Sequence, residues 1–255
     1  MAAQPVKSAD RTLEVLELLA DRPGRHSLVE LSRLLDIPKS SLHGILRTMA
    51  QRGWVETDAA GVRFGLGVRA LQVGAAYIDA DDAVGLLAGV LDELSREFGE
   101  TVHLGRLDGP NVVYLAKRES VHPLRLFSSI GRRLPAHATA LGKVLLAGYS
   151  DTEVDRLLSW PLPALTRHTI VTPEPLHAEL AAIRERGYAS DREENTEGIV
   201  CFAMAVPLRS PATDAISMSV PAARLGPDSE QRMVAALHRA VRQVRAARSL
   251  LAPTL

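Results

Sequence analysis

The sequence predicts an α+β chain: a small, mainly helical winged helix-turn-helix, then linker helices, then a larger antiparallel α/β domain. Three observations predict it. The stretch Asp36 to Trp54, DIPKSSLHGILRTMAQRGW, reads as a turn followed by a two-faced helix. A short hairpin pattern follows that helix directly. After Gly99 the texture changes to short alternating apolar runs broken by turns and a few helical stretches.

The elements follow in order. Ser8 is expected to cap a first helix carrying Leu13, Leu16 and Leu19 at helical spacing, closed by Pro23 and Gly24. Ser27 and Glu30 have the spacing of a capping box, and Leu28, Leu31, Leu34 and Leu35 mark a second short helix. Pro38 opens the third, whose stripe of Leu42, Ile45, Leu46 and Met49 points inward. Its other face holds Ser40, His43, Gly44 and Arg47, small or polar groups that let the backbone approach something closely. Trp54–Thr57 and Val62–Phe64 bracket an Asp58–Gly61 turn, the wing, with Arg63 on it. Val68 to Phe98 reads as two helices with a weak point at Asp79–Asp82. The stripe Val68, Leu71, Ala75 either pairs with a second copy or packs on the three-helix unit.

Beyond Gly99, strands are expected at Thr101–Leu107, Val112–Ala116, Leu124–Phe127, Tyr188, Val200–Leu208 and Ala215–Val220. Helices are expected at Ala138–Leu146, Thr152–Leu158, Pro175–Arg186 and Asp228–Leu250. The domains expected are 1–67, the winged helix-turn-helix; 68–98, the linker helix and the first helix of the second domain; and 99–255, that domain itself.

Composition narrows the function. With 255 residues and 46% hydrophobic content the chain can bury a real core. Formal net charge is +0, but Arg33, Lys39, Arg47, Arg52, Arg63 and Arg69 outnumber Asp36, Glu56 and Asp58 around the helix-turn-helix. One cysteine, Cys201, excludes an internal disulfide framework and a Cys-rich zinc site. No signal-type segment and no run near the roughly 18 apolar residues of a membrane span is present, so a cytoplasmic protein is expected.

Polar candidates in the second domain are His103, His122, His137, Asp191, Glu193, Glu194, Cys201, Ser217 and Ser219. Taken alone, Asp191, Glu193 and Glu194 read as a solvated charge run in a loop. Cys201 reads as a small buried hydrophobe. Ser217 and Ser219 share one strand face, lining a polar cavity or, the reading favoured by residues alone, meeting water. Enzyme motifs such as a P-loop, HExxH or GxSxG are missing. A Cys201, His137 and Asp191 triad is conceivable, but a cysteine within an apolar run makes a poor thiolate. No enzyme activity, cofactor or metal is expected.

Several segments in order carry a resemblance: IPKSSLHGIL, RFGLG, GRRLPAHATALGKVLLA, LTRHTI, IRERGYASDREENTEGIVCFAMAVPL and AISMSVP. From about Val6 to Leu251 the chain resembles IclR-type transcriptional regulators. The resemblance implies a GAF-like or PAS-like effector domain that binds a small organic molecule, often a carboxylate or aromatic metabolite. It implies a homodimer, commonly a dimer of dimers, on a palindromic double-stranded operator. For the effector it implies Ala140 and Leu141, through first-turn amides, then Asp191, Cys201, Ser217 and Ser219, with Leu126 and Leu134 as apolar walls. That convergence turns the serines toward a cavity. Ser40, Ser41 and His43 would approach the major groove, with Lys39, Arg47 and Arg63 on phosphates or base edges. Departures from the family pattern are Ser41 and Gly44 where Thr and Arg are usual, Leu141 where a smaller residue is expected, and a short segment between Pro207 and Ala215. The alternatives weighed are a metabolite-converting enzyme using Cys201 or Asp191, and a constitutive DNA-binding protein whose second domain only oligomerises.

Overall fold

The computed structural model describes residues 5–126 and 128–251. The chain divides into two compact units, Met1–Ala80 and Asp81–Leu255.

In the first unit, α1 (Lys7–Asp21) buries Val15 and Leu19, with Leu16 and Leu18 partly buried. Two expectations change here. Leu13 is 58% exposed, because the inward stripe runs through Val15 instead. Ser8 lies inside the helix, where its carbonyl accepts Thr12 Oγ1 at 2.8 Å, and the cap position is Val6 with no side-chain bond. The capping box before α2 (Leu28–Leu35) is present: Glu30 N–H donates to Ser27 Oγ at 3.2 Å, and Ser27 N–H to Glu30 Oε2 at 2.7 Å. Asp36 takes a left-handed conformation at the turn, and α3 (Lys39–Gln51) begins immediately after Pro38. Leu31, Ile37, Leu42, Leu46, Met49 and Val55 complete this small core.

The wing consists of β2 (Val55–Thr57) and β3 (Arg63–Leu66), antiparallel, joined through a turn in which Asp58 Oδ1 accepts the N–H groups of Val62 and Arg63. A two-residue strand β1 (His26–Ser27) pairs with β3 and makes the sheet three-stranded. Two residues carry too short a pattern to be read from sequence. The last element, α4 (Val68–Asp79), contains no buried residue. Val68 is 68% and Leu71 71% exposed, so the described residues leave these stripe positions open.

The second unit opens with α5 (Asp82–Phe98), capped by Asp81, whose Oδ1 accepts the N–H groups of Ala83 and Val84. Its sheet is antiparallel, in the order β6-β5-β4-β9-β8-β7. The strands are β4 (Thr101–Asp108), β5 (Asn111–Arg118), β6 (Arg133–Pro135), β7 (Ala189–Arg192), β8 (Ile199–Val206) and β9 (Asp214–Pro221). The expected strand at Leu124–Phe127 is replaced at the sheet edge by β6: Leu124, Arg125 and Leu126 are irregular, and Phe127 lies outside the described residues. Tyr188 precedes β7 instead of forming a strand.

A 3-10 turn over Ala136–Ala138 leads into α6 (Ala140–Leu146), shortening the helix expected from Ala138. Helices α7 (Asp151–Leu157), α8 (Pro173–Arg186) and α9 (Ser229–Leu251) complete the unit. Leu141, Val144, Leu145, Leu176, Leu180 and Ile183 pack with Ala203 and Ala215, which places α6 and α8 over the face carrying the odd-numbered residues of β8 and β9. On the other face of these strands Phe202, Met204, Met218 and Val220 are buried, and α5 and α9 contact the central strands.

Candidate functional site: an exposed polar helix face and a buried polar cavity

In α3 the burial alternates as its stripe demands. Leu42, Leu46 and Met49 are buried, while Lys39, Ser40, Ser41, His43, Gly44 and Arg47 are exposed. A Cβ added at Gly44 would meet nothing within 4 Å, so this part of the helix presents bare backbone. Arg63 is exposed on β3, and its Nη1 donates to the Arg25 carbonyl at 3.2 Å, which ties the guanidinium to the loop before β1. The face is polar and open, with positive charge at both its ends.

The cavity of the second unit is built from strand register. Asp191, Cys201, Ser219 and Thr101 are direct cross-strand neighbours on β7, β8, β9 and β4, and therefore share one face. The next row on that face carries Ser217 opposite His103. Ser217 and Ser219 are each 2% exposed, so they do not meet bulk water. Over this floor lies the first turn of α6, with Thr139 as N-cap accepting Gly142 N–H at 2.9 Å. The first-turn amides of Ala140 and Leu141 have no intrahelical acceptor, as at any helix start. Tyr114, Leu126, Asn195, Thr196 and Ile199 close the sides. The volume open to the centre of a water molecule is about 20 Å³, room for one or two waters.

Burial sets the electrostatics. Asp191 is pushed up to about 7, first by loss of water and second by the Glu194 carboxylate, against the Glu194 N–H bond, the nearby Lys143 ammonium and the Asn195 N–H bond. Burial also raises the Cys201 thiol, which donates to Ser219 Oγ at 3.2 Å, and the Tyr114 phenol. Beneath α6, Lys143 is 1% exposed and its Nζ meets Glu194 Oε1 at 2.5 Å. His103 stacks on Tyr114 at 4.2 Å, bonds Ser128 Oγ at 2.7 Å, and is lowered to about 3 by burial and then by Lys117.

Among the residues singled out from sequence, Leu126, Ala140, Leu141, Asp191, Cys201, Ser217 and Ser219 meet around this cavity. Leu134 does not: it sits on β6 opposite Val112 and packs against the core. The reading of Asp191 and Glu194 as solvated charges is overturned, since they are 3% and 7% exposed. Glu193 alone keeps a loop role, accepting Gly198 N–H. His137 does not line the cavity, and its Nε2 meets the Pro163 carbonyl, so no Cys201, His137 and Asp191 triad forms. His122 stands in the loop after β5, beside Gly99. Sequence reasoning missed Tyr114, Thr139, Asn195, Thr196 and Ile199. Thr139 had a signal, an N-cap residue type directly before an apolar helix. Among the described residues no group of His, Cys, Asp and Glu could hold a metal ion, and no helix is long and apolar enough to cross a membrane.

Comparison with known proteins places both halves. Residues 8–59 match the IclR helix-turn-helix domain, and residues 75–246 match the C-terminal domain of bacterial IclR transcriptional regulators. The regulator KdgR of Escherichia coli is 35% identical over 243 residues, covering 94% of this chain and 92% of its own. The transcriptional repressor IclR of Escherichia coli is 33% identical over 248 residues, covering 95% and 90%. Among solved structures, an IclR regulator from Alicyclobacillus acidocaldarius superposes with TM-score 0.84 at 25% identity, covering 95% of this chain and 99% of its own. An IclR homologue from Microbacterium hydrocarbonoxydans, solved with 4-hydroxybenzoate, shares the fold with TM-score 0.77 at 21% identity, covering 94% and 99%.

Proposed function

This chain belongs to the IclR family of bacterial transcriptional regulators, and from that premise we propose that it binds a palindromic operator through α3 under control of a small organic effector. The effector is a carboxylate or aromatic metabolite held in the cavity beneath α6, which has to widen from its present room for one or two waters to admit it. One observation carries the reading: Asp191, Cys201, Ser217 and Ser219 converge in a buried cavity of a chain that also presents an open polar helix face. Buried polar side chains gathered around a space are what a ligand site requires. The 4-hydroxybenzoate held by the Microbacterium relative supports an organic acid as the class.

The DNA side follows from chemistry. Lys39, Arg47 and Arg63 neutralise phosphates or reach base edges, while Ser40, Ser41 and His43 come close to the groove. Gly44 offers no side chain, so Arg47 and the wing supply more of the contact. The regulator acts in the cytoplasm as a homodimer or a dimer of dimers, one α3 to each half-site. Driving such a switch from mostly bound to mostly free needs roughly a 10⁴-fold preference of the effector for one state.

An operator selected from random duplex DNA by the purified chain tests the reading. Arg47→Ala is expected to weaken binding by about 1–3 kcal/mol if it reads a base, or to lower the salt slope by about one if it meets a phosphate. Unchanged affinity together with an unchanged slope would overturn the placement of α3 on DNA.

A further inference from the structure

The cavity floor holds an acid, Asp191, whose one nearby cation, Lys143, is bonded to other carboxylates. Asp191 Oδ1 is occupied by the N–H groups of Glu194 at 2.7 Å and Asn195 at 3.4 Å. The loop after β7 sets the Glu194 carboxylate beside it, and that group has a buried oxygen, Oε2, without a partner. From α6 comes one ammonium, Lys143, but it is already engaged by Glu194 Oε1 at 2.5 Å and by Glu179 of α8 at 3.6 Å. Glu179 in turn takes Arg186 at 2.7 Å. From β8 and β5 come the Cys201 thiol and the Tyr114 phenol, both pushed by burial toward their uncharged forms. The titratable groups around Asp191 thus offer it one carboxylate and a cation committed elsewhere.

An anionic effector entering this floor would add another negative charge. Two carboxylates at hydrogen-bond distance in a site with little water do not both stay ionised; they share a proton. Resting on the organic-acid reading of the effector, we propose that Asp191 meets it as a neutral carboxylic acid and donates a hydrogen bond to the effector carboxylate. The effector then binds together with one proton. The Ser217 and Ser219 hydroxyls and the first-turn amides of α6 can donate at any pH, so Asp191 is the group that makes binding depend on pH.

The sign follows from linkage. Burial and Glu194 place the free Asp191 at about 7, so below that value its proton is already present and affinity is flat. Above it, each binding event must take a proton from solvent, and affinity declines about tenfold per pH unit.

Two measurements on the full chain test this. In carbon-13 NMR of carboxyl-labelled aspartate, with Asp191→Asn to identify the signal, Asp191 is expected to titrate near neutrality. Titration with ordinary carboxylates, below about pH 5, would overturn the proposal. The second is titration of acetate, lactate, benzoate and 4-hydroxybenzoate, followed by thermal shift at pH 6 and pH 8. Any acid that binds is expected to do so about tenfold more weakly at pH 8. Asp191→Asn, whose amide donates without titrating, is expected to lose that dependence. Equal wild-type affinity at both pH values would overturn the proton coupling. Near-neutral titration of Asp191 with no acid binding at either pH would instead overturn the organic-acid reading beneath it.

Discussion

A methyl group added at Gly44 of α3 meets open space, whereas one added at Gly142 of α6 would lie 2.1 Å from the Ala136 carbonyl oxygen and 2.3 Å from Ala136 Cα. The two glycines sit in helices, yet they do opposite things. Gly44 weakens its helix through backbone freedom, so Gly44→Ala is expected to stabilise the first unit by about 0.5–1 kcal/mol. Gly142 lets α6 press on the 3-10 turn before it, and the atoms in the way are backbone, which cannot swing aside. Gly142→Ala is therefore expected to destabilise the second unit by about 2 kcal/mol or more. Urea unfolding of both variants checks the pair, and effects of equal sign would contradict the geometry. Gly105 shows the same logic from the strand side. Its absent Cβ leaves room for Leu141 Cδ1, which would stand only 2.9 Å from it, so a bulky side chain fits over the floor at a position where the family pattern expects a small one.

At the scale of elements, Lys143 ties α6 to the loop after β7 and so joins the roof of the cavity to its floor. Removing only the cation leaves the buried Glu194 carboxylate without a counter-charge, and Lys143→Met is expected to cost about 3–5 kcal/mol. Adding Glu194→Leu removes the stranded charge and should recover much of that loss, while Glu179 keeps Arg186. Additive losses in the double variant, measured by urea unfolding, would show that the two residues do not act as a pair. This network was invisible in the sequence. Elements with local signals could be read: the Ser27 and Glu30 capping box, the stripe of Leu42, Leu46 and Met49, the turn at Gly109, and the Gly187 that ends α8. Local spacing fixes such features. Asp191, Glu194 and Lys143 meet only because β7 pairs with β8 and α6 crosses above, and a linear charge run carries no record of that. The resemblance, not periodicity, pointed to Asp191 and Cys201. Tyr114 and Asn195 had neither signal, since each reaches the cavity through register or loop geometry set far along the chain.

At the scale of the whole molecule, α4 stands out among the described residues as a helix with an exposed apolar stripe. A helix of 12 residues is marginal in water without a packed face, and α4 buries none of its residues. Val68, Leu71 and Val73 are exposed by 68%, 71% and 55%. An exposed apolar stripe of this kind is what a contact between chains would bury. A second copy is the partner that the proposed palindromic operator asks for, because an isologous contact relates two α3 helices by the same twofold axis as the half-sites. The pair Val68→Glu and Leu71→Glu places charge on that surface without disturbing a buried contact within the chain. Sedimentation is expected to show a shift toward smaller assemblies. Operator affinity should fall as well, since linked half-site contacts commonly exceed a single one by about 10² or more. A variant that kept its assembly state and its operator affinity would remove α4 from the interface and return its exposed stripe to an unexplained feature of the chain.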